Sequence, residues 1–259
     1  YWGAPLPVWK TVPPPEGGRS GGGPEIFIPS SLKELQTRTK AKNNFILVRH
    51  GETDANRKNM LNQESATASG TIDAVLGEDK SLNENGQKQA QEAGQTLKDK
   101  NLNKENLLIF SSPFKRTLET AKIIAGGLGI GENQIVLDDR LTEWQVGEEN
   151  NGKSWAQFYA DNPGVNYLHK LMKGGKETKI DVQNRMTRFI VDMESKYSGK
   201  NIIVVSHKSP IACIYSRNEG ELFEMGTGNI PAWHNAKNCE VIDLNYKPLP
   251  TDEEGNVNF

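Results

Sequence analysis

Five side chains able to bind or transfer a charged group stand just after apolar runs or turns of this sequence. They are Arg49, His50, Arg116, Glu143 and His207. Arginine presents a planar fork of N–H donors, which matches a compact anion with several oxygens, and phosphate is such an anion. A neutral imidazole held among these donors can attack phosphorus and form a phosphohistidine, while a second, protonated imidazole stabilises charge on the transferring group. The set therefore indicates phosphoryl-transfer chemistry.

A carboxylic acid completes this chemistry, because the leaving oxygen must be protonated and a water molecule must later be activated. Glu143 is the candidate for that role. A single histidine at the end of a strand is usually a structural residue, but a sheet edge gains nothing by collecting several uncompensated cationic groups. The two histidines lie in separate segments and match neither H-x-x-x-H nor H-E-x-x-H, so we predict neither a metal nor a cofactor.

Strand-like and helix-like segments alternate along the chain, and several strands are apolar over their whole length. The predicted strands cover residues 44–51, 106–113, 133–144, 201–210 and 238–246. The predicted helices cover 30–42, 81–100 with Asn83 as N-cap, 114–129, 181–199 and 210–218, and residues 57–80 are predicted to form a loop. This alternation predicts a three-layer α/β/α fold with a mainly parallel central sheet. The active sites of such sheets lie at the carboxyl ends of the strands, where most of the candidate residues stand.

The composition excludes some classes of partner. The chain has 259 residues and a formal net charge of −2, which gives no general attraction to nucleic acid or membranes. No apolar run is long enough to cross a membrane, and no secretory signal pattern opens the sequence. Cys213 and Cys239 lack C-x-x-C spacing and are predicted to be free thiols of a cytoplasmic protein. Because the first residue is Tyr1 rather than methionine, we expect an excised part of a longer chain.

Four motifs resemble, in their order along the chain, those of the histidine phosphatase superfamily, which has the phosphoglycerate mutase-like fold. They are "LVRHGET", "SSPFKRTLETA", "RLTEWQVGEENNG" and "VVSHKSPI", and the resemblance spans residues 43–245. It implies that His50 is the phosphorylated nucleophile and that Glu143 is the proton donor. The phosphate-pocket partners that it implies are Arg49, Asn56, Arg116 and His207.

The sequence departs from this family where glycine usually follows the second histidine, because Lys208, Ser209 and Pro210 stand there. The mutase-specific segments are not matched, so we expect a phosphomonoesterase that hydrolyses a small phosphorylated substrate. The alternatives are a phosphoglycerate mutase and a non-catalytic accessory module that contacts tRNA. The nearly neutral net charge disfavours the last, since binding to a nucleic-acid backbone depends on clustered lysine and arginine.

Both ends of the sequence resemble another family, the class I isoleucyl-tRNA synthetases. "YWGAPLPVWK" and "IFIPSSLKELQ" are similar to segments after the editing insertion, and "PLPTDEEGNVNF" is similar to the run that leads back into the catalytic domain. The resemblance implies a synthetase segment with linker at 1–42, a phosphatase domain at 43–245 and a return segment at 246–259. It implies the rest of a synthetase and its tRNA as partners. The HIGH-type and KMSKS-type signatures are missing from this sequence, so aminoacylation by this part alone is not expected.

Six further side chains have both a structural and a functional interpretation. They are Ser111, Ser112, Trp144, Trp155, His169 and His234. The serines either end a strand or lend a hydroxyl to a phosphate, and the tryptophans either wall a pocket or pack in the core. For His169 a structural or surface role is predicted, whereas the loop around His234 can reach the site. Gly51, which has no side chain, is expected to leave space for the phosphate.

Overall fold

A central five-stranded sheet carries the fold in the computed structural model, which describes residues 41–61, 81–163, 171–218 and 234–245. Its strands are β1 (Asn44–Arg49), β2 (Leu107–Ser111), β3 (Ile135–Leu137), β4 (Asn201–Ser206) and β5 (Val241–Leu244). Their order across the sheet is β3-β2-β4-β1-β5. The pairs β3–β2, β2–β4 and β4–β1 are parallel, and β5 joins β1 antiparallel. The prediction of a mainly parallel sheet is confirmed.

Helices cover both faces of this sheet. They are α1 (Asp54–Arg57), α2 (Glu84–Asp99), α3 (Lys115–Leu128), α4 (Trp155–Asp161), α5 (Lys179–Lys196) and α6 (Lys208–Asn218). Side chains of β1 alternate between the faces: Ile46 and Val48 pack with residues of α2 and α3, while Phe45 and Leu47 pack with residues of α5 and α6. This is the predicted three-layer α/β/α arrangement. Within the described ranges, none of these helices is long and apolar enough to span a membrane.

The helix after the first motif begins where the sequence predicts. Asn83 is the N-cap of α2, and its side-chain oxygen accepts a hydrogen bond from the Gly86 N–H at 2.8 Å. Farther along, α3 stops at Gly129, whose φ of 68° is a left-handed conformation that glycine adopts at low cost. Most of the predicted helix over 30–42 and most of the predicted loop over 57–80 lie outside the described residues, and residues 41–42 are not helical.

All five strands are shorter in the structure than the sequence predicts, so these boundaries were predicted wrongly, and for two of them a local contact or backbone angle gives the reason. The predicted strand over 133–144 ends at Leu137, because the Asp138 carboxylate accepts a hydrogen bond from the Arg140 N–H at 2.9 Å and turns the chain. The predicted strand over 238–246 begins at Val241, because Cys239 has a φ of 55° and cannot continue an extended backbone. Residues 138–144 therefore form a turn and a loop rather than the end of a strand.

Both cysteines are buried and unpaired, which confirms the prediction of free thiols. Burial raises the pKa of Cys213 to about 12 and that of Cys239 to about 12. Both thiols are therefore protonated at neutral pH.

The start of α2 packs directly against the backbone that follows β1. A Cβ atom added at Gly86 would lie 2.1 Å from the Glu52 carbonyl oxygen, a backbone atom that cannot move aside alone. We expect Gly86→Ala to lower the free energy of unfolding by about 3 kcal/mol, measured by urea denaturation. Gly126→Ala in α3 is the matched control, because nothing lies within 4 Å of its added Cβ. The control is expected to stabilise by about 0.5–1 kcal/mol, and equal effects at the two glycines would contradict this packing.

Candidate active site

The carboxyl ends of the neighbouring strands β1, β4 and β2 bring three predicted site residues together. Since β1 and β4 are paired in parallel, His50 and His207, each directly after its strand, are neighbours. Their ring centroids are 5.2 Å apart, and both side chains are buried. Arg116 lies in the first turn of α3, after β2, and its Nε donates to His50 Nε2 at 3.3 Å. Residues far apart in sequence thus meet at one edge of the sheet.

The hydrogen bonds of His50 determine which nitrogen carries the proton. Its Nδ1 lies 2.7 Å from the Gly51 carbonyl oxygen, which only accepts, so Nδ1 carries the proton and donates. The lone pair is then on Nε2, where it accepts from Arg116. Burial lowers the pKa of His50 well below its ordinary value, and the charges of Arg116 and Arg49 lower it further. At neutral pH the ring is therefore a neutral base with Nε2 available as a nucleophile.

Two guanidinium groups lie beside this imidazole. Arg49 donates from Nη1 to the Ala236 carbonyl oxygen at 2.8 Å, and its Nε is buried without a hydrogen-bond partner in the described part of the chain. The guanidinium carbon of Arg116 lies 5.2 Å from the centre of the Phe114 ring, which supports the group on one side. A buried donor without a partner is costly, and an anion with several oxygens would satisfy it.

His207 is held by a serine at the end of the adjacent strand. Its Nε2 lies 2.9 Å from the Ser112 hydroxyl, while its Nδ1 is buried and has no partner among the described residues. Ser112 thus supports the histidine, whereas the Ser111 hydroxyl donates to the Ser112 carbonyl oxygen at 2.8 Å. Burial lowers the pKa of His207 well below its ordinary value, with Arg116 as the next largest cause. The protein groups alone therefore favour a neutral His207 ring, whereas the sequence analysis predicts a protonated one. Protonation of this ring requires the negative charge of a bound phosphate dianion.

Glu143 lies in the loop that follows the shortened strand β3. Its Oε1 accepts a hydrogen bond from the Trp144 N–H at 2.8 Å, and its carbonyl oxygen accepts from Arg185 Nη2 at 3.3 Å. Arg185, on α5, also forms a salt bridge of 2.9 Å with Glu177, whose carboxylate accepts from the Gln145 N–H. This network fixes the loop, so the carboxyl group is positioned although no strand or helix carries it.

Asn56 belongs to the short helix α1, three residues after its N-cap Thr53. Its side-chain oxygen accepts from the Thr53 N–H at 3.2 Å and from Asn238 Nδ2 at 3.3 Å. The side chain is therefore part of a reciprocal cap, and it lines the same cleft as His50.

A cleft of about 650 Å³ opens at this edge of the sheet. The predicted site residues that line it are Arg49, His50, Asn56, Arg116 and Glu143. His207 is fully buried behind them. A neutral imidazole, two guanidinium groups and a carboxyl group therefore face one space large enough for a small molecule.

The sequence model of the histidine phosphatase superfamily, branch 1, matches residues 45–249. These residues include the whole cleft lining and every strand and helix described above, except Asn44, the first residue of β1. The chain belongs to the histidine phosphatase superfamily. The resemblance of the four motifs to this family is thereby confirmed.

Relatives of this histidine phosphatase carry several activities in their names. Phosphoserine phosphatase 1 of Hydrogenobacter thermophilus is 30% identical over an alignment of 181 residues, and the alignment covers 66% of this chain and 74% of the relative. The 2,3-bisphosphoglycerate-dependent phosphoglycerate mutase of Thermoplasma acidophilum is 30% identical over 171 residues, with the same two shares. A mycobacterial glucosyl-3-phosphoglycerate phosphatase structure in complex with VO3 has a TM-score of 0.58 and 23% identity, covering 83% of this chain and 94% of that chain. The structural likeness supports the phosphoglycerate mutase-like fold.

The space around Gly51 has a different use from the one predicted. A Cβ atom added there would lie 2.5 Å from the Gly86 carbonyl oxygen. The missing side chain therefore allows the first turn of α2 to approach the backbone next to His50. The sequence had suggested that this space is left for a phosphate, but the backbone of α2 occupies it.

Sequence reasoning expected the loop around His234 to reach the site, but it missed the three residues of 234–240 that hold the first motif from outside the sheet. Asn238 Nδ2 donates to the His50 carbonyl oxygen at 3.0 Å, and the Cys239 N–H donates to the Arg49 carbonyl oxygen at 3.0 Å. Ala236 supplies the carbonyl group that binds the Arg49 side chain. No motif marks these residues, because two of the three act through backbone atoms that every amino acid has.

The remaining open interpretations have structural answers where the chain is described. Trp144 is buried in a core cluster, with its Nε1 donating to the Glu177 carbonyl oxygen at 3.0 Å, and it also lines the cleft, as does Trp155. His234 packs on Tyr215 with a centroid distance of 4.7 Å and is not part of the cleft lining. Residue 169 lies outside the described residues.

The lowered pKa of the two buried histidines predicts their behaviour in acid. In the folded protein each ring is expected to stay neutral as the pH falls through about 6.5, where an unperturbed histidine takes up a proton. Their Cε1–H resonances in an NMR titration should therefore not shift between pH 8 and pH 6. Arg116→Met removes one positive neighbour, so the pKa of His50 should rise. Titration of His50 near its ordinary pKa in the unmodified protein would contradict the assignment.

Proposed function

We propose that this histidine phosphatase hydrolyses phosphomonoesters through a phosphohistidine formed on His50. The observation that carries the proposal is the fixed tautomer of the ring. Because Nδ1 donates to the Gly51 carbonyl oxygen, the Nε2 lone pair is directed away from that bond and lies beside Arg116. A neutral imidazole between cationic donors meets both requirements of this chemistry, a nucleophile and a binding site for the phosphate oxygens.

The proposed reaction has two steps, transfer of the phosphoryl group to His50 and hydrolysis of the phosphohistidine. First, His50 Nε2 attacks phosphorus while the bond from phosphorus to the ester oxygen breaks, and protonated Glu143 gives its proton to that leaving oxygen. Then a water molecule attacks the phosphohistidine, the Glu143 carboxylate takes the water proton, and the bond between Nε2 and phosphorus breaks. Inorganic phosphate and the alcohol are the products. The position of Glu143 in the cleft with His50 supports this assignment.

The remaining site residues are proposed to bind the transferring phosphate. Arg49 Nε and His207 Nδ1 are buried without partners among the described residues, and both would gain one from phosphate oxygens. A phosphate dianion would also raise the pKa of His207, which supports its protonated form during the reaction. Asn56 contributes a side-chain donor to the lining of the cleft, and Arg116 contributes donors beside His50. No step of this proposal uses a metal or cofactor. That the protein needs neither stays a prediction.

Product analysis distinguishes hydrolysis from the alternative mutase activity. The two named relatives, a phosphoserine phosphatase and a phosphoglycerate mutase, are equally similar, so identity favours neither activity. The mutase-specific segments are not matched in this sequence, which supports hydrolysis, whereas the departure at Lys208, Ser209 and Pro210 bears on the choice of substrate. Incubation with 3-phosphoglycerate and a bisphosphorylated primer should release inorganic phosphate. Formation of 2-phosphoglycerate without phosphate release would instead identify a mutase.

The proposed setting of the domain is an insertion within an isoleucyl-tRNA synthetase of the cytoplasm. Its support is the similarity of residues 1–42 and 246–259 to synthetase segments, and nearly all of these residues lie outside the described part of the chain. The family match over 45–249 supports a phosphatase domain in the central part of the chain, and the bounds of 43–245 stay a prediction. Binding of tRNA without turnover of any phosphate ester would favour the alternative of a non-catalytic accessory module.

A further inference from the structure

Two lysines line the cleft, Lys208 and the exposed Lys237, and neither has a part in the reaction described above. Lys208 directly follows His207, is the first residue of α6, and lines the same cleft as His50 and Glu143. The residue is partly buried. Within the described residues, its ammonium group has no hydrogen bond or salt bridge.

The position of this lysine is electrostatically unfavourable in the protein alone. Partial burial and the charge of Arg49 both lower the pKa of Lys208, and Glu143 is the group that opposes them. The first turn of a helix also carries a partial positive charge, which disfavours a cation. A lysine kept in such a place, facing a cleft, is stabilised when an anion binds there.

We propose that Lys208 binds a second anionic group of the substrate, so that the cleft selects phosphomonoesters that also carry a carboxylate or a second phosphate. The proposal rests on the proposed function, because it assumes that the first phosphate is bound at His50. That phosphate already has Arg49 and Arg116 beside it, whereas Lys208 is a further cation at the same cleft.

The size and lining of the cleft agree with a substrate larger than one phosphate. Its volume of about 650 Å³ is in the range of small-molecule sites and exceeds the need of a single tetrahedral anion. Met60 and Trp155 add apolar surface, which can cover the carbon skeleton between the two anionic groups. Lys208 then acts as a specificity-determining residue rather than as part of the phosphoryl transfer.

A series of three-carbon esters tests this proposal. Glycerol 3-phosphate, 3-phosphoglycerate and glycerol 1,3-bisphosphate share a three-carbon chain with a hydroxyl at the middle carbon, and they differ in having a hydroxyl, a carboxylate or a phosphate at the far end. In the unmodified protein, kcat/KM should be higher for the two esters with a second anion. Lys208→Met should lower this preference by about tenfold or more, since a charge-assisted hydrogen bond is lost. Lys208→Arg, which keeps the charge, should retain most of it.

Lys98→Met is the matched control, because Lys98 is an exposed lysine in the last turn of α2, outside the cleft lining. Loss of preference for the carboxylate alone identifies a carboxylate partner, and loss for the bisphosphate alone identifies a phosphate partner. Unchanged preference in Lys208→Met would overturn the proposal. Dissociation constants from calorimetry give the same comparison without turnover. Failure of the proposed function is a separate result, in which no ester is hydrolysed in a His50-dependent manner.

Discussion

We expect His50→Ala to lower kcat/KM for 4-nitrophenyl phosphate by at least about 10⁴-fold. The variant removes the Nε2 lone pair that accepts from Arg116, and no neighbouring group can replace it as a nucleophile. The nearest other imidazole, His207, has its Nε2 bonded to the Ser112 hydroxyl. The covalent route is then closed, and only slow direct attack by water on a bound phosphate ester remains.

Two measurements check this expectation. The rate of phosphate release gives the loss of activity, and rapid quenching with a labelled ester shows whether an acid-labile phosphoprotein forms. His234→Ala is the control, because His234 packs on Tyr215 outside the cleft lining and should leave both signals intact. Since His50 is buried, His50→Gln serves as a second variant that fills more of the space. Labelling or near-normal turnover in both His50 variants would refute the proposed nucleophile.

The second large effect concerns the proton that Glu143 is proposed to donate. In Glu143→Gln we expect kcat/KM for an alkyl ester such as glycerol 3-phosphate to fall by about 10³-fold, because an alkoxide cannot leave without a proton. For 4-nitrophenyl phosphate the fall should be less than about tenfold, because 4-nitrophenolate is a stable leaving group. The second step also needs a base for water, so the phosphoenzyme should accumulate with the aryl ester.

Comparison of the two esters separates a proton donor from a merely structural residue. Loss of loop structure would lower the rates of both esters alike, whereas loss of the acid lowers them unequally. Glu105→Gln is the control, because Glu105 is exposed and precedes β2 at the opposite end of the strand from the site. Equal losses of kcat/KM for the alkyl and the aryl ester in Glu143→Gln would show that Glu143 is not the general acid.

Local sequence patterns were sufficient for the layers of the fold and for most of the site. Continuous apolar runs predict buried parallel strands, and these require helices on both faces, as observed. Because the carboxyl ends of parallel strands share one edge, residues directly after the runs had to lie near each other. His50, Arg116 and His207 satisfy this rule, which depends only on strand direction.

Strand boundaries and the reasons for particular residues depended on contacts between distant segments. Glu143 was expected near the end of a strand, but a side-chain hydrogen bond of Asp138 turns the chain first, and Arg185 then holds the loop. The packing partner of Gly51 is a glycine 35 positions later in α2 (86 − 51), which no local pattern reveals.

The layered α/β fold, the family motifs and the residue types of the site can be predicted from the sequence, because strand period, apolar runs and motif order are local properties. Which motifs are in contact depends on how the strands are ordered in the sheet. The order β2-β4-β1 sets the fourth strand between the first two, so the last motif supports the first. The tertiary structure also decided the tautomer of His50, the support from Asn238 and the unpaired position of Lys208. These follow from hydrogen bonds and charges between segments that are distant in the sequence, or from backbone atoms that the sequence does not distinguish.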